Sequence, residues 1–320
     1  MWVTWREATR RALYGDGGFY LRERPGRHFR TSVHASLAFA EAVLRLLGEV
    51  DAALGHPPIL DLVDVGAGDG VLATSVLASA PPELGDRLRV TAVDLSSRPE
   101  GVDERVAWTP TVPDEVHGLI FANEWLDNVP VDVVERTPRG PRLILVNPAT
   151  GEERPGPEPD EHDLAWLERW WPLREVGDRA EIGRPRDDAW ASLIVRLARG
   201  TAVAVDYAHP VDDRPGAGSL VGYRDGAAVP PVPDGSCDIT AHVALDACAA
   251  AGERAGARAT TLTTQREALR RLGVTGARPP LTLAHADPRG YLRALGRASE
   301  EAELIDPAGL GRFGWLSQSR

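Results

Sequence analysis

The stretch Asp64-Val65-Gly66-Ala67-Gly68-Asp69-Gly70 decides the reading of this chain. Before it, the apolar run Ile59 to Val65 reads as a buried strand. After it, Val71-Leu72-Ala73-Thr74-Ser75-Val76-Leu77 reads as the start of a helix. A strand, a glycine turn and a helix make a ligand-binding corner of an α/β sheet. A dinucleotide fingerprint would put its third glycine where this chain has Val71. Here the third glycine comes two residues after the second, and an acid sits near the strand end. Gly66, Gly68 and Gly70 lack Cβ, so they can take positive φ and bring backbone close to a ligand. The alternative is a purely structural glycine turn.

A second acid lies on the same side of the pattern. Leu88 to Asp94 (LRVTAVD) reads as the next strand, with Asp94 at its end, 24 residues beyond Gly70. That interval brings a carboxylate to a ribose diol in α/β corners of this kind. The alternative is a solvated acid at a strand end. The acid-x-Gly-x-Gly-x-Gly pattern resembles the first motif of class I S-adenosyl-L-methionine (SAM) methyltransferases. The resemblance implies that Asp64, Gly66, Ala67, Gly68 and Gly70 wrap the cofactor. Asp64 would accept from the methionine ammonium, and the following helix would turn its positive end to the methionine carboxylate. Asp94 and its neighbour Leu95 would take the ribose end.

Composition narrows the classes. At 320 residues the chain can bury one large core or a core with an insertion. A net charge of −11 argues against a nucleic-acid binder carried by bulk electrostatics, and it suits a cationic substrate. All 36 basic residues are Arg, which excludes lysine chemistry such as a P-loop or a Schiff base. The two cysteines, Cys237 and Cys248, make no zinc pattern and fit a reduced compartment. No apolar run is long enough to span a membrane, and the first residues lack a secretory apolar region. A cytoplasmic location is the expectation, with no metal.

Along the chain, Thr4 to Leu13 and Ser36 to Leu47 have helical spacing, the second ending at Gly48. Val106 to Trp108 and Leu119 to Asn123 read as strands. Pro130 to Glu135 and Arg142 to Val146 alternate like a hairpin outside the main sheet. Pro148 to Pro159 is rich in Pro, Gly and Glu and reads as a loop. Asp163 to Trp171 carries three tryptophans at helical spacing, which favours packing, although exposed tryptophans there would serve a partner. Ala189 to Ala198 reads as a helix and Thr201 to Tyr207 as a parallel strand. Asp246 to Gly256 is an Ala-rich helix. Thr260 to Leu262 is a strand, Gln265 to Leu272 a helix, and Gly314 to Ser317 a last edge strand. The alternation predicts an α/β fold: a doubly wound, mostly parallel Rossmann-like sheet with an N-terminal helical or lid element and an inserted subdomain. The expected boundaries are 1–50 for the lid and 51–320 for the catalytic domain, with the insertion at about 130–198.

Other segments sharpen the resemblance. Asn123-Glu124-Trp125-Leu126-Asp127-Asn128-Val129-Pro130-Val131 resembles an N-E-x-x-D-x-x-P-V signature. Gly17-Gly18-Phe19-Tyr20 and His28-Phe29-Arg30-Thr31-Ser32 resemble an N-terminal G-x-Y-Y … G-D-F-x-T-S element. Gly218 to Arg224, then Asp238-Ile239-Thr240-Ala241-His242-Val243, resemble G-x-L-x-x-Y … D-I-T-A-H-V. Thr264-Gln265 and Gly309 to Phe313 fit the C-terminal pattern. Together these resemble the MidA-like SAM-dependent methyltransferases, a family that includes a mitochondrial complex I assembly factor methylating protein arginine. The chain departs from that pattern at Arg27-His28-Phe29, where Gly-Asp-Phe is usual, at Ala208 after Asp206-Tyr207, and at Asp64, where Glu is common.

The resemblance implies methyl transfer to a protein side chain, arginine in particular. Glu124 would take the guanidinium fork, Asp127 would be the second carboxylate, and His242 would contact substrate or move a proton. Asn123 would shape the methionine end, and Thr31 with Arg30 would contact cofactor or close the lid. The alternatives are helix capping for Glu124 and Asp127, a helix N-cap for Asp238, and a structural His242. For the whole protein, the rivals are a non-catalytic SAM-binding assembly factor and, disfavoured by Val71, a nucleotide-linked oxidoreductase. The expected partner is a protein substrate or assembly partner, with a homodimer as a further alternative.

Overall fold

The computed structural model describes residues 1–22 and 31–320. Arg27, His28, Phe29 and Arg30, which the sequence singles out, lie outside the described residues. The chain forms two compact units. One is assembled from Arg30–Asn123, Arg196–Val205 and Ala259–Arg320, the other from Met1–Phe29, Glu124–Val195 and Asp206–Arg258.

The first unit is built on a seven-stranded sheet. Its order is Ala259–Thr264, Gly314–Ser319, Leu197–Asp206, Val116–Asn123, Leu60–Val65, Leu88–Val93, Ala107–Thr109. The strands from Leu197–Asp206 to Ala107–Thr109 run parallel. Ala259–Thr264 is antiparallel to Gly314–Ser319. Gly200 and Arg320 exchange reciprocal N–H···O bonds, as antiparallel neighbours do. Every residue of Leu60–Val65 is buried, which is why it reads as an unbroken apolar run with Asp61 and Asp64 inside it. Asp61 is tolerated because Arg89 takes both carboxylate oxygens and the His117 amide donates to one. Helix Leu37–Ala53 packs Phe39 edge-on to Phe121, which in turn meets Trp315 edge-on. The α/β, mostly parallel architecture is that expected from the sequence.

Details differ from the expectations. Helix Leu37–Ala53 runs through Gly48 rather than ending there. A mid-helix glycine costs only about 1 kcal/mol, and burial of Val50 and the Asp51–Arg87 ion pair hold the last turn. The expected boundary at residue 50 therefore falls inside a helix. The final strand, Gly314–Ser319, is interior to the sheet, and the edge is Ala259–Thr264. Helices Leu281–Ala286 and Pro288–Leu304 were not expected from the sequence.

The second unit carries an antiparallel sheet in the order Val3–Thr4, Gly140–Val146, Asp132–Thr137, Arg179–Ile182. Glu153–Pro155 adds to Gly140–Val146, so part of the segment expected as loop is an edge strand. Its proline sits where no further neighbour needs an N–H. Helix Glu161–Trp170 buries Trp166 and Leu167, with Trp171 following, against Val134, Ala180 and Ile182. Trp166 Nε1 donates to Asp187 Oδ2 at 2.7 Å. Trp166 and Trp171 are thus packing residues, not an exposed partner surface. A second core joins Trp5 and Ala8 of helix Trp5–Tyr14 to Val133, Ile144, Cys237 and Ile239. A smaller sheet has the order Ala227–Val229, Val221–Arg224, Asp238–Thr240. Asp238 is therefore a strand residue, not a helix N-cap; the next helix, Leu245–Arg254, begins after Ala244. No helix among the described residues is long and apolar enough to cross a membrane.

Candidate functional site

In the sheet unit, the glycine corner follows Leu60–Val65 directly. Gly66, Gly68 and Gly70 have φ of 72°, 55° and 70°, all left-handed. Gly66 and Ala67 donate to the Val93 carbonyl, tying the loop to the neighbouring strand. A Cβ on Gly68 would meet nothing within 4 Å, so the loop is open there. A Cβ on Gly70 would come within 2.9 Å of Val102 Cγ2 and 3.3 Å of Trp108. The third glycine thus serves packing and the turn into helix Val71–Ser79, more than the close ligand approach expected of all three.

Two acids frame the corner. Asp94 Oδ2 accepts the Gly68 N–H at 2.9 Å, while Oδ1 accepts the Ser96 amide and hydroxyl. A carboxylate has about four lone-pair positions, so one remains for a ligand hydroxyl. Asp64 is buried and accepts from the Ala73 amide in the first turn of Val71–Ser79. Its Oδ2 is buried with no hydrogen-bond partner. Burial, with Asp94 adding a smaller push, raises this carboxyl to about 7. An orphaned buried carboxylate oxygen is costly, and a ligand ammonium would satisfy it. Leu95 is 62% exposed, an apolar surface beside Asp94. Asn123 is buried and closes Val116–Asn123.

Thr31 does not reach the loop itself. Its hydroxyl pairs with His34 Nδ1 at 2.7 Å, and His34 Nε2 lies 3.7 Å from Asp69 Oδ2 in the loop. Its neighbour Ser32 donates to Gln265 Oε1 at 3.0 Å, and Gln265 Nε2 donates to the Leu304 carbonyl. Two motifs far apart in sequence therefore meet in one buried hydrogen-bond pair.

In the second unit, Glu124 opens a turn. Its φ of 50° is unusual for a glutamate and marks a constrained backbone. The single 3₁₀ turn Leu126–Asn128 follows. Asp206 Oδ2 accepts the amides of Leu126 and Asp127, and Oδ1 accepts its own neighbour Tyr207 N–H. Burial, then the nearby Asp127, push Asp206 well above the usual carboxylate range. Asp127 is not a helix cap either: its Oδ2 accepts the Thr240 hydroxyl at 2.9 Å. Burial raises Asp127 as well. It is an inward anchor, so Glu124 is the partly exposed acid of the pair.

Arg186 binds the turn from behind. Its buried guanidinium donates to the carbonyls of Asp127, Val129 and His242. His242 stacks its ring on Tyr207, with centroids 5.7 Å apart and planes at 17°. Its amide donates to Ser219 Oγ, which donates to Glu181. Next to it, His209 is held neutral, pushed down to about 3 by burial and by the Arg214 cation. The sequence reading missed Arg186, Thr240 and Gln265 as parts of this framework. Asp206 was visible only as the acid of the Asp-Tyr pair after the fifth parallel strand, and Tyr20 only within its motif.

Residues 43–263 match the model of a family described as "Putative S-adenosyl-L-methionine-dependent methyltransferase". The chain belongs to this methyltransferase family. A crystal structure from Burkholderia thailandensis, bound to S-adenosyl-homocysteine, superposes with a TM-score of 0.84 at 28% identity, covering 100% of this chain and 88% of the other. A native structure of a protein from the same organism gives a TM-score of 0.81 at 27% identity, covering 100% and 87%. No curated protein matches the chain. The family cofactor, SAM, fits the corner on chemical grounds. Asp64 offers an unsatisfied acceptor for an ammonium, Asp94 a remaining lone pair for a diol, and Gly68 an open approach.

Proposed function

We propose that this protein transfers a methyl group from SAM to a cationic protein side chain, arginine by its resemblance to the MidA-like family. The observation that carries the reading is the orphaned Asp64 Oδ2 beside an open, left-handed Gly68. In this reading Asp64 and Asn123 hold the methionine end, Asp94 and Leu95 the adenosine end, and Gly66 to Gly70 the backbone cradle. Thr31 acts on the loop through His34 and Asp69. The bound cofactor supplies an electrophilic methyl on a sulfonium.

Glu124 takes the acceptor N–H groups and draws their positive charge toward one end of the group. That leaves the opposite nitrogen richer in electron density. Asp127, turned onto Thr240, holds the Glu124 turn rather than acting as the second carboxylate expected from sequence. His242, flat on Tyr207, presents an imidazole edge and limits the acceptor's approach. The net charge of −11 favours a basic segment as partner.

Calorimetry of SAM with the wild type and Asp94→Ala tests the cofactor half. Labelled-methyl transfer to arginine-rich peptides, with Glu124→Gln as control, tests the acceptor half. SAM binding without transfer to any peptide or cell-extract protein would leave a SAM-binding assembly factor. No SAM binding by the folded wild type would remove the reading altogether.

A further inference from the structure

Tyr20 Oη lies 2.6 Å from Asn128 Oδ1 and 2.7 Å from Asp238 Oδ1. A phenol has one proton to donate. One of the two short contacts therefore needs a proton from the other side. Asn128 cannot supply it: its Nδ2 already donates to the Glu124 carbonyl at 3.1 Å. Turning the amide over would lose that bond and set two oxygens against each other. The remaining source is Asp238.

We propose that Asp238 carries a proton at neutral pH and is the positioning residue of the Glu124 turn, acting through Tyr20 and Asn128. The Asp238 acid donates to Tyr20, Tyr20 donates to Asn128, and Asn128 donates to the Glu124 carbonyl. Every group in that chain is then satisfied. With Asp238 ionised, Tyr20 has two acceptors and one proton, and one short oxygen–oxygen contact is left without hydrogen.

The surroundings favour the acid form. Asp238 is 5% exposed. Burial, partly opposed by the Tyr20 hydrogen bond and reinforced by Asp127, raises it to about 7. The other groups facing the chain do not supply a positive charge to its carboxyl. Tyr14 donates its hydroxyl to the Asn128 carbonyl, and Arg22 donates to the Gly235 carbonyl. The neighbouring Cys237 thiol is itself pushed up by burial. One proton thus links helix Phe19–Arg22, the turn Leu126–Asn128 and the strand Asp238–Thr240. The consequence for catalysis rests on Glu124 binding the acceptor; the proton count does not.

Infrared difference spectra of the full chain, wild type minus Asp238→Asn, test the proton directly. A protonated carboxyl band is expected at about pH 6 and should fade by about pH 9. In Tyr20→Phe the band should shift or move its titration, since its acceptor is gone. Melting temperatures give the second readout. Asn at 238 keeps a donor toward Tyr20, so Asp238→Asn should match the wild type at low pH. Its advantage should widen as pH rises through about 7, whereas Asp238→Ala should melt lower throughout. Absence of the band at about pH 6, or an Asn variant as unstable as the Ala variant, overturns the proposal. Neither readout depends on methyl transfer. A failure here is thus separable from a failure of Glu124→Gln to abolish activity.

Discussion

In the glycine corner, every residue proposed to hold the cofactor lies between Asp64 and Leu95 or closes the adjacent strand at Asn123, with Thr31 acting only through His34 and Asp69. Its geometry is backbone geometry: three left-handed glycines, two amides tied to Val93, one amide tied to Asp94. In the acid turn, Glu124 and Asp127 are held by side chains from Tyr20, Arg186, Asp206, Asp238 and Thr240, brought in from distant parts of the chain. The first region is open and locally specified. The second is buried, polar and specified only by the complete fold. A locally built site loses affinity gradually when altered, whereas a network of buried charge loses stability in large steps.

The sharpest test of that contrast is Arg186→Leu. It removes a buried cation from three carbonyls and from the neighbourhood of Asp127 and Asp206. We expect a loss of about 3–5 kcal/mol in urea unfolding, with SAM affinity in the surviving folded fraction changed little. An equal collapse of SAM binding would break the comparison. Glu124→Gln comes next. It should lower methyl transfer about 100-fold, the scale of removing one aimed electrostatic group, while the SAM Kd stays put. Asp94→Ala should weaken SAM binding at least ten-fold, about 1.4 kcal/mol, and leave unfolding nearly unaltered.

The smallest expected effect is one of pH. Asp64 sits at about 7 in the folded protein, above its ordinary value. Its contribution to stability is therefore complete below about pH 4 and is lost as pH rises through about 7. Cofactor binding runs the other way, because an ammonium wants the ionised form. SAM affinity should rise several-fold as pH passes through about 7 and then level off. Asp64→Asn should remove the slope; calorimetry at several pH values, corrected for buffer protonation, reads it.

The sequence made the corner legible because its information is local. Glycine spacing, an acid at the strand end and a second acid one helix and strand later need no tertiary contact to be read. The mostly parallel character of the sheet followed from the same alternation of strands and helices. The acid turn was legible only in its membership. Glu124 and Asp127 stood out by motif, but their division of labour depends on Thr240 and Asp206, which pairwise spacing cannot assign. A helix cap was one reading open for Asp238, because an acid ahead of an Ala-rich helix often is one. The five residues between Asp238 and the cap position Ala244, and strand pairing with Tyr223, decide otherwise. Helix Pro288–Leu304 escaped although its sequence is amphipathic; Ala298, Glu301 and Leu304 are its buried residues.

The strand Gly314–Ser319, lodged between Ala259–Thr264 and Leu197–Asp206, has a consequence for how the chain comes off the ribosome. The unit holding the acid turn has all its segments by Arg258, while the sheet unit needs residues as far as Ser319 before its order can close. The unit holding the acid turn can therefore settle first during synthesis. Until the last strand arrives, Ala259–Thr264 has no strand to pair with, and Leu197–Asp206 is an open edge of the nascent sheet.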